Sequence, residues 1–359
     1  MQHPIDTRAT RDSDGSISTG PRGPLSFLRR LGRELALQDI VIGLYLTILM
    51  SAVLAAARGP ERGDSITTVV IDIVAFAIGI TLTRGAILRP GSFANGFLYR
   101  MTVFFPVLLT YFQLRSILPA VSPHSLDGDL LAFDMRVFGF EPAVSWDRFV
   151  TPHTTEWFAF FYFGYFFLLA AHVLPITLAS KSVFRISHFA LGVFMIFCTG
   201  QLLYMLVPGW GPYHHLAGQF AHPLEGGLFW RLVRATVDAG GSQKDIFPSL
   251  HTAVPTFFAI YQFIHRRTFP FRFTWPFMAF GATQIIIATM FLRWHYLVDI
   301  VAGITIATTA ALVSHRIVTW EMARRKATGV RPIFTVLEWR QLQGNPGRRG
   351  DDGDPDSRQ

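Results

Sequence analysis

Apolar residues in this chain fall in long unbroken blocks rather than in stripes of period 3.6 or 2. About eight blocks read as membrane-crossing helices, near 39–57, 65–83, 98–119, 156–179, 186–208, 248–265, 273–292 and 297–317. A helix needs about 20 mostly apolar residues to cross the hydrocarbon layer. The sixth and seventh blocks contain proline and lean on aromatic residues, so their ends are the least sharply marked. The pattern predicts an all-α, polytopic transmembrane bundle, with residues 37–318 as one membrane domain. The flanking stretches 1–36 and 319–359 are polar and are expected to be disordered cytoplasmic tails. No internal repeat of fixed period is evident.

Charge between the blocks sets a direction. If the N-terminus lies inside, the inner turns hold Arg84, Arg89 and Arg100, then Lys181 and Arg185, then Arg266, Arg267 and Arg272. The outer segments mix acids with fewer bases, as the positive-inside rule requires. Both termini are therefore expected in the cytoplasm, and loops 120–155 and 209–247 and the turn 293–296 on the outer face. The two long loops exceed an ordinary connection, which marks them as functional.

Composition sharpens this picture. Of 359 residues, 50% are hydrophobic and 16% charged, whereas a soluble domain carries about 25% charged residues. The net charge of +8 sits in short clusters between apolar blocks rather than along one face, which excludes a nucleic-acid partner. The single cysteine, Cys198, leaves no disulfide framework and no cysteine-based metal site. His214, His215 and His222 match no strong ligand spacing and are expected in a solvated loop, and His124, His153, His172 and His188 are given no role beyond that. Asp134 and Arg136 are expected as a surface pair on an interfacial helix, with headgroup recognition as the alternative, and the run WFAFFYFGYFF at 157–167 as lipid-facing or interhelical packing, with a lipid-tail groove as the alternative.

Two outer-face stretches carry candidate chemistry. In FPSLH, at 247–251, Pro248 suits the first turn of a helix, and the unpaired amides of that turn favour an anion. Ser249 adds a hydroxyl, as anion donor or as helix cap, and His251 stands on the same turn. In RWHYLVDIVAG, at 293–303, His295 and Asp299 are spaced to share a helix face. A carboxylate on one ring nitrogen fixes the tautomer and frees the other for attack or proton abstraction.

FPSLH followed by HYLVD resembles the second and third signature blocks of the type 2 phosphatidic acid phosphatase superfamily. Leu250, where most lipid phosphatases have glycine, makes the chain more similar to the Aur1-like branch, which includes the inositol phosphorylceramide synthases. VPGWGP at 207–212 and DMRVFGFEP at 134–142 are similar to stretches in bacterial members of that branch. The resemblance, over roughly 98–318, implies a six-helix catalytic core in which His295 becomes a phosphohistidine, Asp299 holds it and His251 carries the proton. Ser249 and local amides would bind phosphate oxygens, with no metal or cofactor. The first family block is absent: Leu82 stands where its lysine belongs, and Arg89–Pro90 falls on the inner side. A third-block arginine is replaced by Thr289. Arg115, Arg293 and Lys244 are the outer-side candidates to compensate phosphate charge.

The resemblance thus implies a membrane lipid as partner, with an alcohol such as inositol, or water, as acceptor. An alternative of another class is a transporter using His251, His295 and Asp299 as a proton relay.

Overall fold

In the computed structural model the described residues are 24–240 and 244–338. They form helices and loops only, with a single isolated bridge between Gly209 and Asp245. The helices are α1 (Pro24–Glu34), α2 (Leu37–Ala56), α3 (Arg62–Arg84), α4 (Phe93–Val121), α5 (Asp127–Val137), α6 (Pro142–Ser145) and α7 (Pro152–Ala179). They continue with α8 (Val183–Leu206), α9 (Pro212–His215), α10 (Leu228–Gly240), α11 (Leu250–Ile264), α12 (Phe271–Phe291) and α13 (Leu297–Thr328).

Seven of these, α2, α3, α4, α7, α8, α12 and α13, are long and apolar enough to cross a membrane. The sixth expected span is shorter than the rest: α11 has 15 residues, about 22 Å at 1.5 Å per residue. α8 is largely apolar and mostly buried, as the centre of a bundle requires, while less than a third of α3 and of α7 is buried.

Hydrogen bonds show which helix ends lie together. At one end Arg84 reaches Asp39, Arg100 donates to Thr177 O, Tyr261 Oη donates to Arg185 O, and Arg325 donates to Leu35 O. At the other end Arg58 N donates to Ala120 O, Ser122 Oγ to Met205 O, and Ser249 N to Asp299 O. The spans thus alternate, and residues 24 and 338 both lie toward the first end, in line with the charge pattern.

The flanks carry more order than the polar pattern suggests. α1 is helical, and α13 runs to Thr328, past the expected end at 317. Beyond it residues 330–338 fold back on the bundle: Ile333 and Phe334 are buried, and Arg100 donates to Thr335 O at 2.8 Å. The rest of both expected tails, 1–23 and 339–359, lies outside the described residues.

Candidate active site

The outer-end loops are held together by buried carboxylates. Asp134 of α5 is fully buried and accepts from Leu297 N at 2.7 Å and Val298 N at 2.9 Å. It caps α13, so the expected surface pair with Arg136 does not form; Arg136 stays exposed. Asp127 accepts from Trp210 N and Gly211 N, both at 2.8 Å, and from Tyr296 Oη at 3.1 Å. Residues from 120–155, 209–247 and 293–298 therefore meet, as their common side of the bundle requires.

Gly211 shows how close that meeting is. Its φ is +93°, and a Cβ there would lie 2.4 Å from Trp294 O. The next link is Tyr213 N donating to Arg293 O at 2.8 Å. Arg293 itself has φ +68°, a left-handed conformation rarely adopted by side-chain-bearing residues. Such outliers persist where surrounding structure holds them, often beside functional groups. Here the turn sets the direction of Trp294 and His295. On the other flank, Gly303 lets α13 approach α11, since a Cβ there would lie 2.7 Å from Ser249 O.

These constraints bring His251 and His295 to one cavity of about 170 Å³. His295 Nδ1 faces Asp299 Oδ2 at 3.3 Å, and Asp299 Oδ2 also accepts from Tyr296 N at 2.9 Å. The carboxylate sits at the start of α13, where the helix dipole favours it. His251 is stacked on Tyr162 with ring centres 4.4 Å apart, and Tyr165 lies at 4.2 Å. Its Nε2 is buried without a partner, as is Asp299 Oδ1. Burial pushes the His295 imidazole down to about 4, against the opposing influence of Asp245 and the Ile246 backbone. The ring is neutral at pH 7 and can act as a nucleophile.

The other expected site residues are placed differently. Ser249 is fully buried and caps α11, its Oγ accepting from Thr252 N at 3.2 Å; it does not line the cavity. Arg293 donates to Asp147 Oδ1 at 2.8 Å and to His222 O at 2.6 Å. Lys244 donates to Pro123 O at 2.8 Å and, at longer range, to Ser122 O and His124 O, closing the end of α4. Arg115 is exposed, with a 3.4 Å contact to Ala239 O. None of these three cations lines the cavity. Arg89–Pro90 lies at the opposite end, beside a second cavity formed with Arg84 and Arg331.

Three histidines given no role make specific bonds. His222 Nδ1 lies 2.9 Å from Asp147 Oδ2. Burial works to raise the Asp147 carboxyl, but the His222 ring, the Ala221 amide and Arg293 outweigh it and hold it below its ordinary range. His188 bonds His265 at 3.0 Å and Ala311 O at 3.1 Å, deep in the bundle. His172 Nδ1 donates to Leu168 O at 2.7 Å. Among the described residues no group of histidine, cysteine and acid is arranged to hold a metal.

Three contributors to the cavity had weak sequence signals. Tyr162 and Tyr165 belong to the aromatic run read as packing, and only their hydroxyls, three positions apart, set them apart from the phenylalanines. Asp245, next to the FPSLH stretch, also lines the cavity, and its carboxylate has no hydrogen-bond or ion-pair partner among the described residues.

An all-helical multi-pass membrane protein with paired histidines at one end of the bundle is the class this arrangement defines. A family model described as the PAP2 superfamily matches residues 128–313, and the chain belongs to that superfamily. Comparisons with curated proteins and with solved structures give no match.

Proposed function

We propose that the protein is a lipid phosphotransferase or phosphatase working through a phosphohistidine. His295 Nε2 attacks phosphorus, and the bond from phosphorus to the leaving alkoxide breaks as His251 delivers a proton to that oxygen. His251 then takes the proton of the acceptor hydroxyl, the acceptor oxygen attacks, and the phosphorus–nitrogen bond breaks to restore His295. Asp299 holds the Nδ1 proton throughout. Dividing the transfer replaces one difficult displacement with two easier ones. Proton transfer of this kind contributes about 100- to 10,000-fold.

The observation that carries this reading is that both imidazoles line one cavity, with a carboxylate on the far nitrogen of His295. A lipid substrate is supported by the cavity's apolar flank. Leu108 and Phe112 of α4 and Phe166 of α7 line it and are also exposed on the bundle surface, a path for acyl chains from the bilayer. The site faces the extracytoplasmic side, with both termini in the cytoplasm, on the charge argument above.

The acceptor is an alcohol, inositol among them, in an Aur1-like reaction, and Leu250 in FPSLH supports that choice. Purified protein given phosphorus-labelled phospholipid should form a new phosphodiester when inositol is added. Release of a phosphomonoester from a phospholipid, or of free phosphate from a lipid phosphate, unchanged by inositol, would assign water as the acceptor. Failure to turn over any phospholipid or lipid phosphate would remove the enzyme.

A further inference from the structure

The cavity around the two histidines is unusual in its charge. Among the described residues its lining contains one carboxylate, Asp245, and no lysine or arginine. Of the expected cations, Arg293 and Lys244 are engaged by Asp147 and by the carbonyls that end α4, and Arg115 is exposed and does not line the cavity. His295 is neutral at pH 7 because burial lowers it to about 4. A bound phosphate would therefore add negative charge beside Asp245 with no cation in the described lining to offset it. Charges a few ångströms apart inside protein interact by several kcal/mol at an effective dielectric of about 20. Either such a ligand binds poorly, or it brings its own cation.

The rest of the lining suits the second case. Tyr162, Tyr165, Tyr204 and Tyr213 all face the cavity, and none of their hydroxyls has a hydrogen-bond partner among the described residues. Trp294 also lines it, packed against Tyr213 with ring centres 4.7 Å apart. Ring faces attract a positively charged headgroup through their quadrupole, and aromatic enclosures are a recurrent way to hold alkylated ammonium groups. Asp245, held by the bridge to Gly209, supplies the matching anion.

We propose that the headgroup taken by this cavity is zwitterionic: a phosphodiester whose alcohol carries an ammonium, with phosphorus at His295 and the nitrogen between Asp245 and the tyrosine rings. This rests on the function proposed above and specifies its substrate class. A polyol phosphodiester offers hydroxyls to the tyrosines but leaves its negative charge facing Asp245.

The test is equilibrium binding of two soluble headgroups, glycerophosphocholine and glycerophosphoinositol, to the full-length protein in neutral detergent. Wild type is expected to bind the choline compound about tenfold more tightly, the ratio that one partly desolvated cation–ring contact supports. Asp245→Asn should bring the two affinities within about twofold while leaving the thermal unfolding midpoint unchanged. Equal wild-type affinities, tighter binding of the inositol compound, or a preference that survives Asp245→Asn would each overturn the proposal. If the variant does not fold, the wild-type ratio decides alone.

A parallel arm separates this claim from the one beneath it. Phosphorylation of the protein is followed with choline- and inositol-headgroup phospholipids labelled at phosphorus. A binding preference without a phosphoenzyme from either lipid leaves the headgroup assignment standing and removes the catalytic reading. Phosphoenzyme formed equally well from both lipids does the reverse.

Discussion

Replacing Asp134 with alanine should loosen the start of α13 and, with it, the alignment of Asp299. Asp134 is fully buried and accepts two amide hydrogens, at 2.7 and 2.9 Å, from the first residues of that helix. Alanine leaves both amides without a protein partner at a half-buried helix start. Hydrogen bonds to a charged group contribute about 1.5–3 kcal/mol each, and loss of a helix cap costs about 0.5–2 kcal/mol. Because the two descriptions overlap, the expected loss is about 3–5 kcal/mol. For a domain of this size that corresponds to a midpoint lower by on the order of 10 °C. The assay is thermal unfolding in detergent, followed by intrinsic fluorescence, beside Asp134→Asn. Asparagine keeps an oxygen acceptor for one amide and should recover roughly half of the loss. Residual activity should fall with stability in the alanine variant, because Asp299 lies in the same first turn. An alanine variant that unfolds at the wild-type temperature would refute the cap and the alignment argument built on it.

Other perturbations test separate parts of the structure. Gly211→Ala forces a side chain into a left-handed position and a Cβ 2.4 Å from Trp294 O; backbone strain alone costs about 1–3 kcal/mol, so the variant should unfold earlier and lose activity. Arg100→Ala removes donors to Thr177 O, Gly96 O and Thr335 O, and limited proteolysis should then cut within 330–338 sooner than in wild type. His251→Ala should slow phosphoenzyme formation from an alkoxide-leaving lipid by about 100- to 10,000-fold, with a smaller effect on a donor whose leaving group needs no proton. The acid limb of phosphoenzyme formation follows from His295, which is reactive when neutral: protonation of this ring should cut the rate near about 4. A midpoint near 6.5, the ordinary imidazole value, would contradict the burial argument.

The apolar blocks were legible because a bilayer demands long runs of one kind, and each expected span has a helix at its position. α11 came out shorter than its block since Pro248 and Ser249 start it late and His265 ends it. The two histidine motifs were legible for a local reason: each sits at a helix start, where proline, serine or a carboxylate at fixed offsets leaves a mark. The commitments of Arg293, Lys244 and Arg115 were not, because they depend on carbonyls and carboxylates far away in sequence. Arg293, for instance, finds Asp147, 146 positions earlier. Asp134 looked like half of a surface pair because its true partners are backbone amides, which carry no side-chain signature. Tyr162 and Tyr165 were hidden in an aromatic run whose packing and site-lining faces have nearly the same composition.

The central claim is a covalent one and is tested by trapping the protein with phosphorus-labelled phospholipid, quenching, and mapping the label. The account predicts a base-stable, acid-labile phosphate on His295 that is absent from His295→Ala. Label on another residue, or label that persists in His295→Ala, would contradict it.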